Sequence, residues 1–190
     1  RTGRLLDLGE IQLWTLEEVL VERGADELRV YLRSWRVDRT NTASRTDIFT
    51  GDEDTNFYRG FIGRRFDHGE AVQAGFQQYG TTGTPTGGGD ELSLIARLGW
   101  AAKGASIDGF GIRARRQRNM QRRDDAYQIP RVNSIRRDAY ARIGFGDPDR
   151  GGWAQVVLAS QAFTRERIDE VNIPLDSIED KRSRNQLVGA

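Results

Sequence analysis

Cysteine is absent from the 190 residues, so neither a disulfide nor a thiolate-ligated metal can hold this chain together. Long apolar runs are missing as well. Hydrophobic residues make up 37% and mean hydropathy is −0.65, with no stretch of about 18 consecutive apolar residues, which excludes a membrane protein built of helices. No excess of one charge exists either: 29 Lys+Arg stand against 28 Asp+Glu, leaving +1, so no global field marks a nucleic-acid binder. Lysine is confined to Lys103 and Lys181, so nearly every cation is an arginine, and His68 is the sole histidine. Residue 1 is Arg and no apolar segment of signal-peptide type follows it, so a secretory signal is expected to be cleaved or to lie outside this stretch. Glycine, by contrast, is plentiful. Its 22 residues are about 12% of the chain against a usual ~7%, and with only 4 prolines this is not a linker composition. Long helices are disfavoured by so much glycine.

What is present is alternation with period two. Leu92, Leu94, Ala96, Leu98 and Trp100 alternate with Ser93, Ile95, Arg97 and Gly99, the pattern of a strand with one wet and one apolar face. Leu28, Val30 and Leu32 alternate with Arg29, Tyr31 and Arg33, and Val72, Ala74 and Phe76 with Gln73, Gly75 and Gln77. Phe110, Ile112 and Ala114 oppose Gly111, Arg113 and Arg115. Ala139, Ala141, Ile143 and Phe145 oppose Tyr140, Arg142 and Gly144, and Ala154, Val156, Leu158 and Ala162 oppose Gln155 and Gln161. Residues 55–66 leave the apolar side open, because Phe57 and Phe61 flank Arg59 while Tyr58, Gly60, Ile62 and Phe66 share the other parity. Residues 10–26 admit two readings: a capping box at Thr15-Leu16-Glu17-Glu18 opens a short helix, whereas the parity of Ile11, Leu13, Thr15, Val19 and Val21 suits a strand, which extends the pattern better.

The connections alternate in length. Asp67-His68-Gly69, Ala102-Lys103-Gly104 and Asp147-Pro148-Asp149-Arg150-Gly151 are tight-turn sequences. Residues 38–54, 81–90, 117–136 and 165–182 are polar and far longer than the usual link of about 4–6 residues. Strands of about eleven residues rising about 3.3 Å each and tilted near 40° span roughly 28 Å, close to the ~25 Å apolar band of an outer-membrane barrel. Trp35, Tyr79 and Phe163 fall beside long links, and Trp100 and Trp153 beside short turns, as two interfacial aromatic girdles would require, although aromatics favour strands in general.

In these features the chain resembles the outer-membrane β-barrel superfamily of Gram-negative bacteria in its porin-like form, from about residue 10 to 164. The resemblance implies an all-β, antiparallel, up-and-down transmembrane barrel, here a single segment of about 7–9 strands over 1–190, with 1–9 a lead-in and 183–190 the start of a truncated strand of a longer barrel. It further implies short turns toward the periplasm, long loops outside, location in the bacterial outer membrane, contact with membrane lipid and lipopolysaccharide, passage of small hydrophilic solutes, and assembly as a homo-oligomer or within a larger outer-membrane complex. Arg29, Arg33, Arg97, Arg113, Arg115 and Arg142 take polar parities and are the pore-lining candidates; a hydrated lumen tolerates such residues where a dry core does not.

Other chemistry is sparse. His68 sits in a turn with no nucleophile arranged beside it, so no catalytic residue is assigned and no enzyme is expected. Asp52, Glu53 and Asp54 lack the ligand spacing of an EF-hand, and Gly87-Gly88-Gly89 lacks the lysine of a phosphate loop, so no metal or cofactor is expected. The run Arg113, Arg115, Arg116, Arg118, Arg122 and Arg123 has several readings: an anion-favouring lumen, a bridge to lipopolysaccharide phosphates, or a solvated loop balanced by Asp124 and Asp125. Nucleic acid is not expected, since no aromatics interleave the run. The expected function is therefore a passive or weakly anion-selective channel, or a structural component of an outer-membrane assembly. The alternative from a different class is a soluble secreted or periplasmic antiparallel β protein that binds a polyanion or carbohydrate through an Arg-rich face.

Overall fold

A computed structural model describes residues 13–34, 37, 40–52, 54–82, 88–119, 131–147, 151–168 and 174–189. The chain divides into two compact units, Arg1–Val37 and Asp38–Ala190. In the first, a 3₁₀ turn at Leu13–Thr15 leads into β1 (Leu16–Arg23), which pairs antiparallel with β2 (Leu28–Ser34). The strand reading of 16–23 is the one adopted, and the capping-box helix does not form. Val19 and Val21 stand opposite Leu32 and Val30 on one side of this hairpin, while Glu18 and Glu22 stand opposite Arg33 and Arg29 on the other. Partners across a ladder share a face, so the two-residue period carries over the turn intact.

The second unit is one eight-stranded antiparallel sheet in strict sequence order: β3 (Ala43–Gly51), β4 (Thr55–Arg65), β5 (Glu70–Thr81), β6 (Gly89–Ala102), β7 (Ala105–Asn119), β8 (Arg131–Gly146), β9 (Trp153–Ile168) and β10 (Pro174–Gly189). It is an open meander whose edges are β3 and β10, and the extensive strand contacts are those between ladder neighbours. The tight turns at 66–69 and 103–104 lie at one end, where Gly146 of β8 also faces Trp153 of β9. Gly69 takes φ 96° and its would-be Cβ collides with the Ala101 carbonyl, so this turn accepts only glycine; its own carbonyl receives the Ala101 N–H at 3.0 Å.

At the opposite end the links are shorter than their composition suggests. Residues 38–54 contain β3, which reaches β4 through a turn at 52–54 with Asp54 at φ 52°. Residues 117–119 and 131–136 belong to β7 and β8, and 165–168 and 174–182 to β9 and β10. Residues 183–189 accordingly belong to a strand that starts at Pro174 and not at 183. The cause is that these strand ends are polar on both faces: hydrophobic periodicity vanishes while the hydrogen-bonded ladder continues.

Register fixes the faces. One side of the sheet carries Ile62, Val72, Phe76, Leu92, Leu94, Leu98, Trp100, Ile107, Ile143, Phe145, Val156, Leu158 and Leu187; the other carries Arg59, Gln73, Gln77, Ser93, Arg97, Asp108, Tyr140 and Arg142. For residues 55–66 this settles the open question, placing Phe57, Arg59 and Phe61 on the polar face. One assignment is reversed. Asp108, Phe110 and Ile112 face Arg142, Tyr140 and Asp138 on the polar side, so Arg113 and Arg115 lie on the apolar side. The alternation of Phe110 and Ile112 with arginine suggests the opposite, but the two-residue turn Lys103-Gly104 sets Ala102 against Ala105 and hence Leu98 against Gly109, carrying the apolar face onto odd-numbered residues of β7.

Candidate functional site

Burial in this sheet is inverted. On the polar face Ser93 is 0% exposed, Gln73 5% and Arg97 8%, whereas on the apolar face Leu98 is 62% exposed, Ile62 55% and Phe145 56%. The buried hydrophobic residues among those described are Val37, Phe61 and Ala114. The polar face is thus the more sheltered of the two around β5–β7. The candidate site is this polar face.

Its centre is Asp108 on β7. The register partner Gly99 on β6 has no side chain, which lets Arg97, two residues along, reach diagonally across the ladder. Arg97 donates from Nε to Asp108 Oδ1 at 2.8 Å and from Nη2 to Oδ2 at 2.7 Å, a bidentate fork. From β8, Arg142 Nη2 donates to Oδ2 at 2.8 Å and the Tyr140 hydroxyl donates to the same oxygen at 3.2 Å. The Tyr140 ring stacks on Phe110, centroids 5.4 Å apart, so an apolar plate beneath the network holds the hydroxyl in place.

Ion pairs recur along the wall. Arg59 on β4 donates to Gln77 Oε1 from Nη2 at 2.8 Å, lies 3.5 Å from Asp47 Oδ2 on β3, and covers the Phe57 ring at 4.8 Å. Arg136 donates to Asp138 Oδ2 at 2.7 Å, and Arg116 approaches Glu91, its register partner, at 3.8 Å. Arg45, Arg65, Arg118, Arg165 and Arg167 share this face by register. Arginines on β3–β9 thus outnumber the face's carboxylates Asp47, Glu91, Asp108 and Asp138.

Of the sequence-derived pore candidates, Arg97 and Arg142 meet at one carboxylate. Arg29 and Arg33 belong to the separate β1–β2 hairpin, where Arg29 pairs with Glu27, and Arg33 lies 3.3 Å from both Glu17 and Glu18. Arg113 and Arg115 are on the apolar face. Among the interfacial aromatic candidates Trp100 takes the apolar face at the short-turn end, with Phe145 near it. Tyr79, Trp153 and Phe163 take the polar face, away from the side that expectation needs, and Trp35 lies outside the described residues. The two-girdle expectation fails at those three because ring parity, and not proximity to a strand end, decides which way an aromatic points.

Catalytic and metal chemistry gain nothing from the geometry. His68 is exposed in its turn, and the described residues contain no group of three or more His, Asp or Glu placed to hold a metal. The Asp54 carboxylate accepts from Thr82 Oγ1 at 3.0 Å, which is a turn clasp. Compared with protein-family models, curated proteins and solved structures, the chain matches none.

Proposed function

We propose that this sheet is wall of an outer-membrane β-barrel that encloses a hydrated, weakly anion-favouring passage, with β3 and β10 closed by pairing to each other or to further strands. The observation that carries the reading is the inverted partition: bulky apolar side chains exposed on one face, a hydrogen-bonded Arg/Asp/Gln/Tyr network sheltered on the other. In water such a sheet would need a second layer over Leu94, Leu98, Ile143 and Phe145. In a bilayer the same face meets hydrocarbon, and the backbone of a closed ladder is satisfied by its neighbours.

The polar wall then faces water. Guanidinium groups clasped by Asp108, Asp138, Asp47 and Glu91 present fixed, alternating charge, which favours hydrophilic solutes over apolar ones. The surplus of arginine lowers the energy of an anion near the wall, most where the passage is narrow. Because the most buried arginine, Arg97, is neutralised by Asp108, selectivity is weak.

The test uses the full-length protein. Heat-modifiable electrophoretic mobility and insolubility without detergent are expected; a monomer that stays in buffer and migrates identically boiled and unboiled refutes the barrel. Reversal potentials in planar bilayers should show modest anion preference at low salt that declines as salt rises, since screening shortens to about 8 Å at physiological ionic strength. Cation preference would refute the basic wall.

A further inference from the structure

On the apolar face the register rows change character from one edge of the sheet to the other. One row begins with Ile48 on β3 and Tyr58 on β4, passes through Leu92 on β6, and ends with Thr164 on β9 and Glu179 on β10. The row through Trp100, eight residues from Leu92 on β6 and nearer the tight turns, changes in the opposite sense, from Glu70 on β5 to Val156 on β9 and Leu187 on β10. Between them the row through Arg64, Val72, Leu98, Leu158 and Asn185 is polar at both ends and apolar in the middle. The apolar residues therefore form a band that crosses the strands obliquely.

Ile48 and Leu187, 69% and 75% exposed, are the last large apolar side chains of this face on β3 and β10 in the direction away from the tight turns. Their rows differ by eight residues across the seven strand steps from β3 to β10. Eight residues at about 3.3 Å against seven spacings of about 4.8 Å give an inclination of about 40°. Leu92 on β6 and Ile135 on β8 overshoot that line, and the trend across the sheet does not depend on them. The ends of the ladder follow it independently. Measured from the row of Arg64, Gly109 and Leu158, the last pairs before the tight-turn end fall one residue on at Arg65, four at Ala105 and five at Trp153. A slab of uniform thickness laid across tilted strands cuts each about one residue further along than its neighbour, and turns kept in water beside the slab step with it. A helix or second sheet packed on this face has no reason to tie the turns to its border. On β4 the Arg64 guanidinium lies over the Phe66 ring at 5.0 Å, toward the turn and away from the band.

Resting on the barrel reading above, we infer that bilayer hydrocarbon seats along this oblique band, from Ile48 and Ile62 on the β3 side to Val156 and Leu187 on the β10 side, and that the ends of β7 to β10 opposite the tight turns stand clear of it as a ladder wetted on both faces. Arg113, Arg115 and Arg137, which lie beyond Gly111 and Ala139 on their strands, then fall outside the hydrocarbon. Water and salt there screen the repulsion between the register partners Arg113 and Arg137.

Because the chain has no cysteine, one introduced thiol takes one label. Nitroxides placed through Tyr58→Cys, Thr164→Cys, Glu70→Cys, Leu187→Cys and Leu98→Cys in the full-length protein, reconstituted in phosphatidylcholine vesicles, are read by their collisions with oxygen, which concentrates in hydrocarbon, and with a water-soluble nickel chelate. The oxygen-to-nickel ratio should be several-fold higher at Tyr58 than at its row mate Thr164, and several-fold higher at Leu187 than at its row mate Glu70. Equal ratios within both pairs, with a high ratio at Leu98, would set the border parallel to the rows and overturn the oblique seat while leaving the barrel standing. Protection of Leu98 and Leu187 from both reagents would mean that a protein layer covers the face, and free nickel access at Leu98 would mean that water does; either removes the barrel and the seat with it. Tyr58→Arg and Thr164→Arg supply an arm without labels. Only the first should lower the urea midpoint in vesicles, and equal losses at these two positions of one row would overturn the inclination.

Discussion

Replacing Asp108 by Asn removes one negative charge from a site that three donors on two neighbouring strands share. The Arg97 and Asp108 side chains are 9% and 14% exposed, and that of Arg142 is 30% exposed. Arg97 therefore has little water to turn to when its partner is neutralised, and breaking a buried pair from one side costs about 3–5 kcal/mol. Arg142 is better solvated, so its lost attraction adds only about 0–1 kcal/mol after screening. The amide keeps one acceptor for the Arg97 fork, which returns about 1 kcal/mol. A net loss of about 3–4 kcal/mol is expected. Urea unfolding of the full-length protein in detergent micelles, followed by tryptophan fluorescence, measures it. The companion variant Arg97→Met with Asp108→Leu replaces the pair by apolar groups and should cost clearly less than Asp108→Asn, because it leaves no uncompensated Arg97 charge. A loss below about 1 kcal/mol for Asp108→Asn, or a double variant as damaging as the single, would refute a sheltered network and indicate that water already screens the wall.

Tyr140→Phe keeps the stack on Phe110 and removes one donor to Asp108, so a loss of about 1 kcal/mol is expected in the same titration, and a value near that of Asp108→Asn would contradict the hierarchy of contacts. Leu98→Arg should cost about 2–4 kcal/mol in a bilayer if this position lies near the midplane, whereas Gln155→Arg on the polar face should cost under about 1; equal effects in lipid-reconstituted unfolding would deny that the two faces meet different solvents. Gly60→Val forces the Phe76 ring from its place over β4, where a Cβ at Gly60 would collide with it, and should lower stability by about 1–3 kcal/mol, with Phe76→Ala relieving part of the loss in a double-mutant cycle.

Alternation by itself determined the class of structure. Period-two patterning in 28–33, 72–77, 92–100, 139–145 and 154–162 specified antiparallel strands, and the tight-turn sequences at 67–69, 102–104 and 147–151 placed one set of hairpins. Strand identity is local: side chains on a pleated backbone point alternately up and down, so a strand with one wet face writes its own period into the sequence. The strands β3 and β10, and the ends of β7 to β9, were hidden because a ladder extends on backbone hydrogen bonds alone and needs no apolar face. The face of β7 is the instructive case. Its hydrophobic residues Phe110 and Ile112 imitate an outward stripe, yet the two-residue turn at Lys103-Gly104 transmits the parity of β6 and turns Asp108 toward Arg97 and Arg142. That arithmetic is present in the sequence once turn length is used together with periodicity. The tertiary structure alone decided what those arginines touch: Arg97 and Arg142, 45 positions apart in sequence, meet at one carboxylate, and Arg113 and Arg137 stand opposite one another on the other face. Charge pairing depends on register across three strands and on an absent side chain at Gly99, and neither is a property of any one strand's sequence.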